Sequence, residues 1–393
     1  MQEEFINSNI QKLKNTAAVW MVLALSGGST FAAEASNPTG HWKTAFFKRG
    51  QMDNYNISWA GGEGATLRAQ VPLYFSGSKV RIWVRSSQVE NVQLDKLTLA
   101  KAENREGKIE GATYPVTFVG QPLTMIECKQ TARPSDEVEM PVSEGLWFLQ
   151  QSYSSPKTSY AFDVDGFFYA TGDAHDTQTL GEYKKGQFPG NISQVDIWTT
   201  DQRPTVLCYG DSITQGFGAT PKSGNRYPEL LAAMLKCPTL NLGVNGDMAI
   251  YSGGAAGIIN KLDGVGSVIF LMGINDILNN KSASPEDFMK RVRSFEKELQ
   301  QKGINLYVGT ILPAGGYPKY DDDPGKETLR QSLNQAIRAE MKGGNLIDFD
   351  AALCDPGNPA RMKPEYQMDY LHPNDAGNRK MAETAAAVLS RAK

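Results

Sequence analysis

The sequence predicts two modules in series: an all-β sandwich or jelly-roll-like domain, then an α/β domain built as three layers, α/β/α, around a mostly parallel sheet. Three observations carry this. Between about residues 41 and 200, short alternating or apolar runs are separated by Gly, Ser, Asn and Asp turns, with no sustained helical periodicity. After about Asp201, apolar strand candidates alternate with helical segments, the pattern of a parallel sheet with right-handed crossovers. The chain has 393 residues, 40% apolar and 21% charged, which is globular composition with length for about two or three domains.

The first 35 residues are expected to direct export. Lys12 and Lys14 precede an apolar run over 17–25, and small residues follow up to Ala32-Ala33-Glu34-Ala35. A charged segment, a short apolar core and small residues read as a signal peptide cleaved after Ala32 or Ala35. The run is shorter than the roughly 20 residues that span a bilayer. The expected destination is the periplasm or the medium, with no further membrane segment.

The expected β-domain covers 36–200, with strand candidates at 67–74, 79–85, 112–118 and 145–150. Its aromatics, Trp42, Phe46, Phe47, Trp59, Trp83, Trp147 and Phe148, suit core packing first and a sugar-binding platform second. His41 and His175 have no metal partner in the pattern and read as structural or surface residues. The four cysteines, Cys128, Cys208, Cys237 and Cys354, form no CxxC pair and lack zinc spacing; their pairing is left open. A net charge of −3 supplies no basic field for nucleic acid.

The expected α/β domain covers 201–393. Strands are predicted at 205–209, 239–244, 267–272, 304–312 and 345–349, with helices starting near Arg226, Ile250, Ser284 and Lys326 and a last one after Asn374. The helix at Ser284 is the clearest. Ser284 can cap it, Pro285 suits its first turn, Glu286 and Asp287 complement its dipole, and Gly303 ends it. Phe288, Val292, Phe295 and Leu299 share one face, directed at the sheet.

The first of these strands runs into Gly210-Asp211-Ser212, a tight turn that holds a serine where function gathers in such sheets, at the strand C-terminal end. A nucleophilic serine needs a base. Of the three histidines, His372 sits in Asp369-Tyr370-Leu371-His372-Pro373, where Asp369 is near enough to accept the imidazole Nδ1–H and leave Nε2 for a hydroxyl. Two further turns end predicted strands at the same sheet edge. Gly246 offers a backbone N–H and Asn275 a side-chain amide to a developing oxyanion, each donor worth about 2.7–4 kcal/mol if preorganised. Gly243 is a second candidate for the glycine role.

These blocks, in this order, resemble the SGNH (GDSL-type) hydrolase family. Gly210-Asp211-Ser212 resembles its nucleophile block and Gly246 its oxyanion glycine. Gly273-Ile274-Asn275-Asp276 resembles its Gly-x-Asn-Asp block, and Asp369-Tyr370-Leu371-His372 its Asp-x-x-His block. Ile213 replaces the leucine of the older motif name. The resemblance runs from about Thr205 to the end and implies a flavodoxin-like α/β/α fold. It implies a Ser212–His372–Asp369 triad, an oxyanion hole from Ser212, Gly246 and Asn275, and no metal or organic cofactor. Asp211 is expected to support the turn by hydrogen bonding, outside the triad.

The ester is less legible. The loop over 313–324 is polar and glycine-rich, without the apolar lining a long acyl chain wants, and 217–227 offers a second wall. Arg226 is either a polar substrate contact or a plain helix start before Pro228. A β-domain joined to an SGNH-like domain resembles several carbohydrate acetylesterases, so deacetylation of a carbohydrate is the expectation. A lysophospholipase or arylesterase is the alternative within enzymes, and a non-catalytic carbohydrate-binding protein the alternative outside them.

Overall fold

Strands bounded by positive-φ glycines build the first half of the molecule, and parallel strands joined by helices build the second. The computed structural model describes residues 39–49, 53–56, 64–86, 91–122, 124–128, 132–154, 157–189, 191–281 and 284–392. The expected export segment over 1–35 lies outside the described residues, as does Trp59. Gly40–Lys393 forms a single contact unit.

Among the described residues from His41 to Thr199, every strand pairing is antiparallel. A five-stranded sheet centres on Gly77–Val84 and Ile192–Thr199, and a six-stranded sheet on Ala65–Leu73 and Gly145–Tyr153. Val80, Ile82, Val195 and Ile197 of the first sheet share one core with Leu67, Val71, Leu99 and Leu149 of the second. This is the face-to-face packing of a sandwich, each strand turning alternate residues inward. The predicted strands at 67–74, 79–85, 112–118 and 145–150 correspond to Ala65–Leu73, Gly77–Val84, Ile109–Val116 and Gly145–Tyr153. Trp147 and Phe148 are core residues, and Trp42 packs edge-on against Trp198 at 5.6 Å. His175 is fully buried between Thr98 Oγ1 (2.7 Å) and Ser152 Oγ (2.6 Å). Burial holds its pKa down at about 4, so this imidazole is a structural core residue.

The second half carries a five-stranded parallel sheet. Its order is Thr239–Gly243, Thr205–Gly210, Val265–Leu271, Asn305–Gly309, Leu346–Ile347. The first strand in sequence therefore lies second in space, with its successors on opposite sides. That reversal opens a crevice at the strand C-terminal ends. Thr205–Gly210 is buried along its whole length, as a central parallel strand requires. Helices pack in two groups, Tyr227–Leu235 with Asp375–Leu389 and Pro285–Gln300 with Gly325–Glu340. Ser284 Oγ accepts the Asp287 N–H at 3.2 Å, and Phe288, Val292, Phe295 and Leu299 are buried as one stripe. Burial of such side chains contributes about 1.5–3 kcal/mol each. Near Ile250 the chain first forms a 3₁₀ turn, Ala249–Gly254, and only then the short helix Ala255–Ile259. The four cysteines are all unpaired thiols.

Candidate active site

Ser212 begins the short helix Ser212–Gln215 directly after the central strand. The local sequence makes this turn sharp. A Cβ on Gly210 would lie 2.0 Å from Thr214 Oγ1, so glycine is required there. Asp211 caps the helix, accepting the Ile213 N–H at 2.9 Å. Burial pushes the Asp211 carboxyl up to about 7, against the Ile213 bond, and Asp247 and Asp276 raise it further. Asp211 thus holds the turn through the Ile213 bond.

Ser212 Oγ lies 3.0 Å from His372 Nε2, and His372 Nδ1 lies 2.8 Å from Asp369 Oδ2. The other Asp369 oxygen accepts the backbone N–H groups of His372 (2.8 Å) and Leu371 (3.1 Å). Burial raises the Asp369 pKa, but the His372 ring and these backbone donors outweigh it, and the carboxyl stays below its ordinary value. An ionised Asp369 fixes Nδ1 as the protonated nitrogen and leaves Nε2 to accept from the Ser212 hydroxyl. Tyr370 takes φ +68° to make the tight turn between acid and base. Phe217 packs its ring on the imidazole, 4.5 Å between centroids.

The two candidate oxyanion turns leave the same edge, since Gly210 is in register with Gly243 on one side and Leu271 on the other. Gly246 adopts φ +75° and is exposed; its N–H meets no acceptor among the described residues. Gly243 is a different case. Its N–H donates to Asn241 Oδ1 at 2.9 Å, and a Cβ there would strike Gln215 N at 2.1 Å. Gly243 is therefore a packing glycine, and the open donor is Gly246. Asn275 Nδ2 donates to the Asp247 carbonyl at 3.0 Å, which ties the two turns together. Asp276 accepts from Ala249 N (2.8 Å) and Ile250 N (3.0 Å), fixing the segment beyond.

Sequence reasoning missed what the β-domain brings to this edge. Arg49 pairs with the Asp247 carboxylate, donates to the Gly210 carbonyl at 3.2 Å, and lies over the Tyr209 ring at 3.9 Å. It is a cation set beside Asp247 and Asp211. No local signal marks it, because its partners are more than 150 residues away. Arg226 requires a correction. Its guanidinium is held by Asp163 (3.2 Å) and Asp165 of the β-domain, and its side chain is 12% exposed. Its charge is already paired within that cluster, so it stands as an inter-module ion-pair residue. Among the described residues no group of three or more His, Cys, Asp or Glu side chains is placed to hold a metal ion. No described helix is long and apolar enough to cross a membrane.

Residues 208–380 match the model of the GDSL-like lipase/acylhydrolase family. Among solved structures, the chain is similar to a GDSL-like lipase from Bacteroides thetaiotaomicron VPI-5482, with 18% identity and a TM-score of 0.39 over 49% of this chain and 89% of that one. It is similar to the aryl esterase of M. smegmatis at 16% identity and TM-score 0.39, covering 48% and 99% of the two chains. A member of the lipolytic protein G-D-S-L family from Veillonella parvula DSM 2008 gives 21% identity and TM-score 0.37, over 48% and 98%. No curated protein matches the chain.

Proposed function

We propose that Ser212, His372 and Asp369 carry out ester hydrolysis as a nucleophile–base–acid triad, a reading supported by the match of residues 208–380 to the GDSL-like lipase/acylhydrolase family model. The observation that supports this most directly is the unbroken relay from Ser212 Oγ through the His372 ring to Asp369. Ser212 attacks the ester carbonyl while His372 Nε2 takes its proton, and Asp369 stabilises the imidazolium. The N–H groups of Ser212 and Gly246 and the Asn275 amide receive the oxyanion. His372 then protonates the departing alcohol, and water, activated by the same imidazole, releases the acid and regenerates the serine. Ser212→Ala should lower turnover of p-nitrophenyl acetate by on the order of 10⁴–10⁶-fold with an unchanged circular dichroism spectrum. Comparable turnover in the variant would overturn the assignment.

The substrate we propose is an acetylated carbohydrate, met after export. The polar, glycine-rich loop over 313–324 supports a short acyl group, and the Lys12–Ala35 pattern supports export. A panel of p-nitrophenyl esters beside acetylated xylan fragments tests the first point. A steep preference for acyl chains of about eight carbons or more would exclude it.

A further inference from the structure

Phe217, whose ring packs on His372, also lines a pocket shared with the β-domain. Phe217, Ala219, Pro221 and Met368 on one side, and Val164 and Lys185 on the other, surround a pocket of about 370 Å³. That is the lower end of the range for small-molecule sites. The α/β side of the pocket is tied to the catalytic base. Phe217 packs on the His372 ring, and the Met368 N–H donates to the His372 carbonyl at 2.9 Å. At Gly218, φ +103°, a Cβ would meet Pro373 O at 2.5 Å, so this loop is drawn against the His372–Pro373 backbone.

The β-domain side is equally fixed. Val164 stands between two anchored carboxylates: Asp163, paired with Lys48 and Arg226, and Asp165, which pairs with Arg226 and accepts the Lys222 N–H at 2.7 Å. The Asp163 N–H adds a bond to Gly186 O at 3.4 Å. A wall held this way keeps its shape as substrate enters.

We propose that this pocket receives the alcohol half of the ester, and that Val164 is a specificity-determining residue contributed by the β-domain. The inference rests on the triad reading above. His372 must reach the leaving oxygen to protonate it, whereas the oxyanion is received across the site at Gly246 and Asn275. What is bonded to the leaving oxygen therefore extends past the base, toward Phe217 and Met368. The largely apolar lining, which also includes Lys185, fits a six-membered ring that presents an apolar face and a polar edge. Sugar and aryl alcohols both offer such a face.

The test compares kcat/KM for ethyl acetate with that for phenyl acetate, cyclohexyl acetate and a monoacetylated methyl xyloside. Val164→Phe narrows the pocket and should lower the ring-to-ethyl ratio by about tenfold or more. Met368 is 50% exposed, so Met368→Ala is a second variant that does not challenge folding; it should lower the ratio by about threefold, through KM. The xyloside falling further than phenyl acetate identifies the sugar as the ring, and the reverse identifies the aryl group. A ratio unmoved in both variants overturns the inference, as does a change in acyl-length preference alone, which would place the pocket on the acyl side. Fluorophosphonate labelling of the wild-type protein tests the underlying reading separately. No label at Ser212 overturns that reading and this one together, whereas label with an unmoved ratio overturns this one alone.

Discussion

Asp211 should make the protein less stable as pH rises from about 4 to neutrality, and Asp211→Asn should remove that effect. The carboxyl is 1% exposed and its pKa stands at about 7 against an ordinary 3.8. A carboxyl with a raised folded pKa binds its proton more tightly in the native state than in the unfolded chain. It costs nothing below about pH 4, where both states are protonated. The cost grows as pH rises from the unfolded pKa to the folded one and is complete above about pH 7. From 3.8 to about 7, at 1.36 kcal/mol per pH unit, this is about 4 kcal/mol. Asparagine is neutral at every pH and keeps an oxygen for the Ile213 N–H, so the cap survives. Urea denaturation of both proteins between pH 4 and 8.5 measures the difference. The two curves should meet near pH 4 and separate to about 4 kcal/mol by pH 8, with the variant the more stable. Parallel curves would refute the reasoning, because they would mean that the burial of Asp211 carries no electrostatic cost. The variant should also keep hydrolysing p-nitrophenyl acetate, since Asp369 and not Asp211 meets the imidazole.

Two further outcomes follow from the same edge. Asp369→Asn should lower kcat by on the order of 10⁴-fold with KM little changed, because the amide no longer selects the Nδ1-protonated imidazole; a loss below tenfold, read by stopped-flow hydrolysis, would remove Asp369 from the triad. Arg49→Met leaves Asp247 without its cation beside two other carboxylates. The pair's side chains are 8% and 19% exposed, so unfolding free energy should fall by about 2–4 kcal/mol, and kcat by on the order of tenfold, short of the 10²–10³ that loss of an oxyanion donor costs. A rise in KM with unchanged kcat would show that Arg49 meets substrate directly.

The parts of this site that were legible in the sequence are those defined by short-range chemistry. Ser212 on a glycine-led turn, Asp369 three residues before His372, and Ser284 ahead of Pro285 each carry their geometry within a few residues. Choosing between Gly243 and Gly246 needed the backbone, because the Asn241 side chain alone decides which N–H stays open. Arg226 was ambiguous for a related reason: a cation before a helix-starting proline looks the same whether it faces a ligand or a distant carboxylate. Arg49 and Val164 left no trace, since their roles arise only where two modules meet and pairings across 61 to 198 residues have no periodicity to reveal them.

The boundary between the modules has an energetic meaning as well. Lys43 reaches Asp201 at 2.9 Å, and the Thr44 N–H donates to the Asp263 carbonyl at 3.2 Å. Arg49 with Asp247, Arg226 with Asp163 and Asp165, Lys222 with Glu106 and Arg203 with Glu144 are further ion pairs across the boundary. Heat or denaturant that loosens either half withdraws partners from the other, so their transitions are linked. In a calorimeter such a chain gives one endotherm in place of two. It reads as two modules and melts as one.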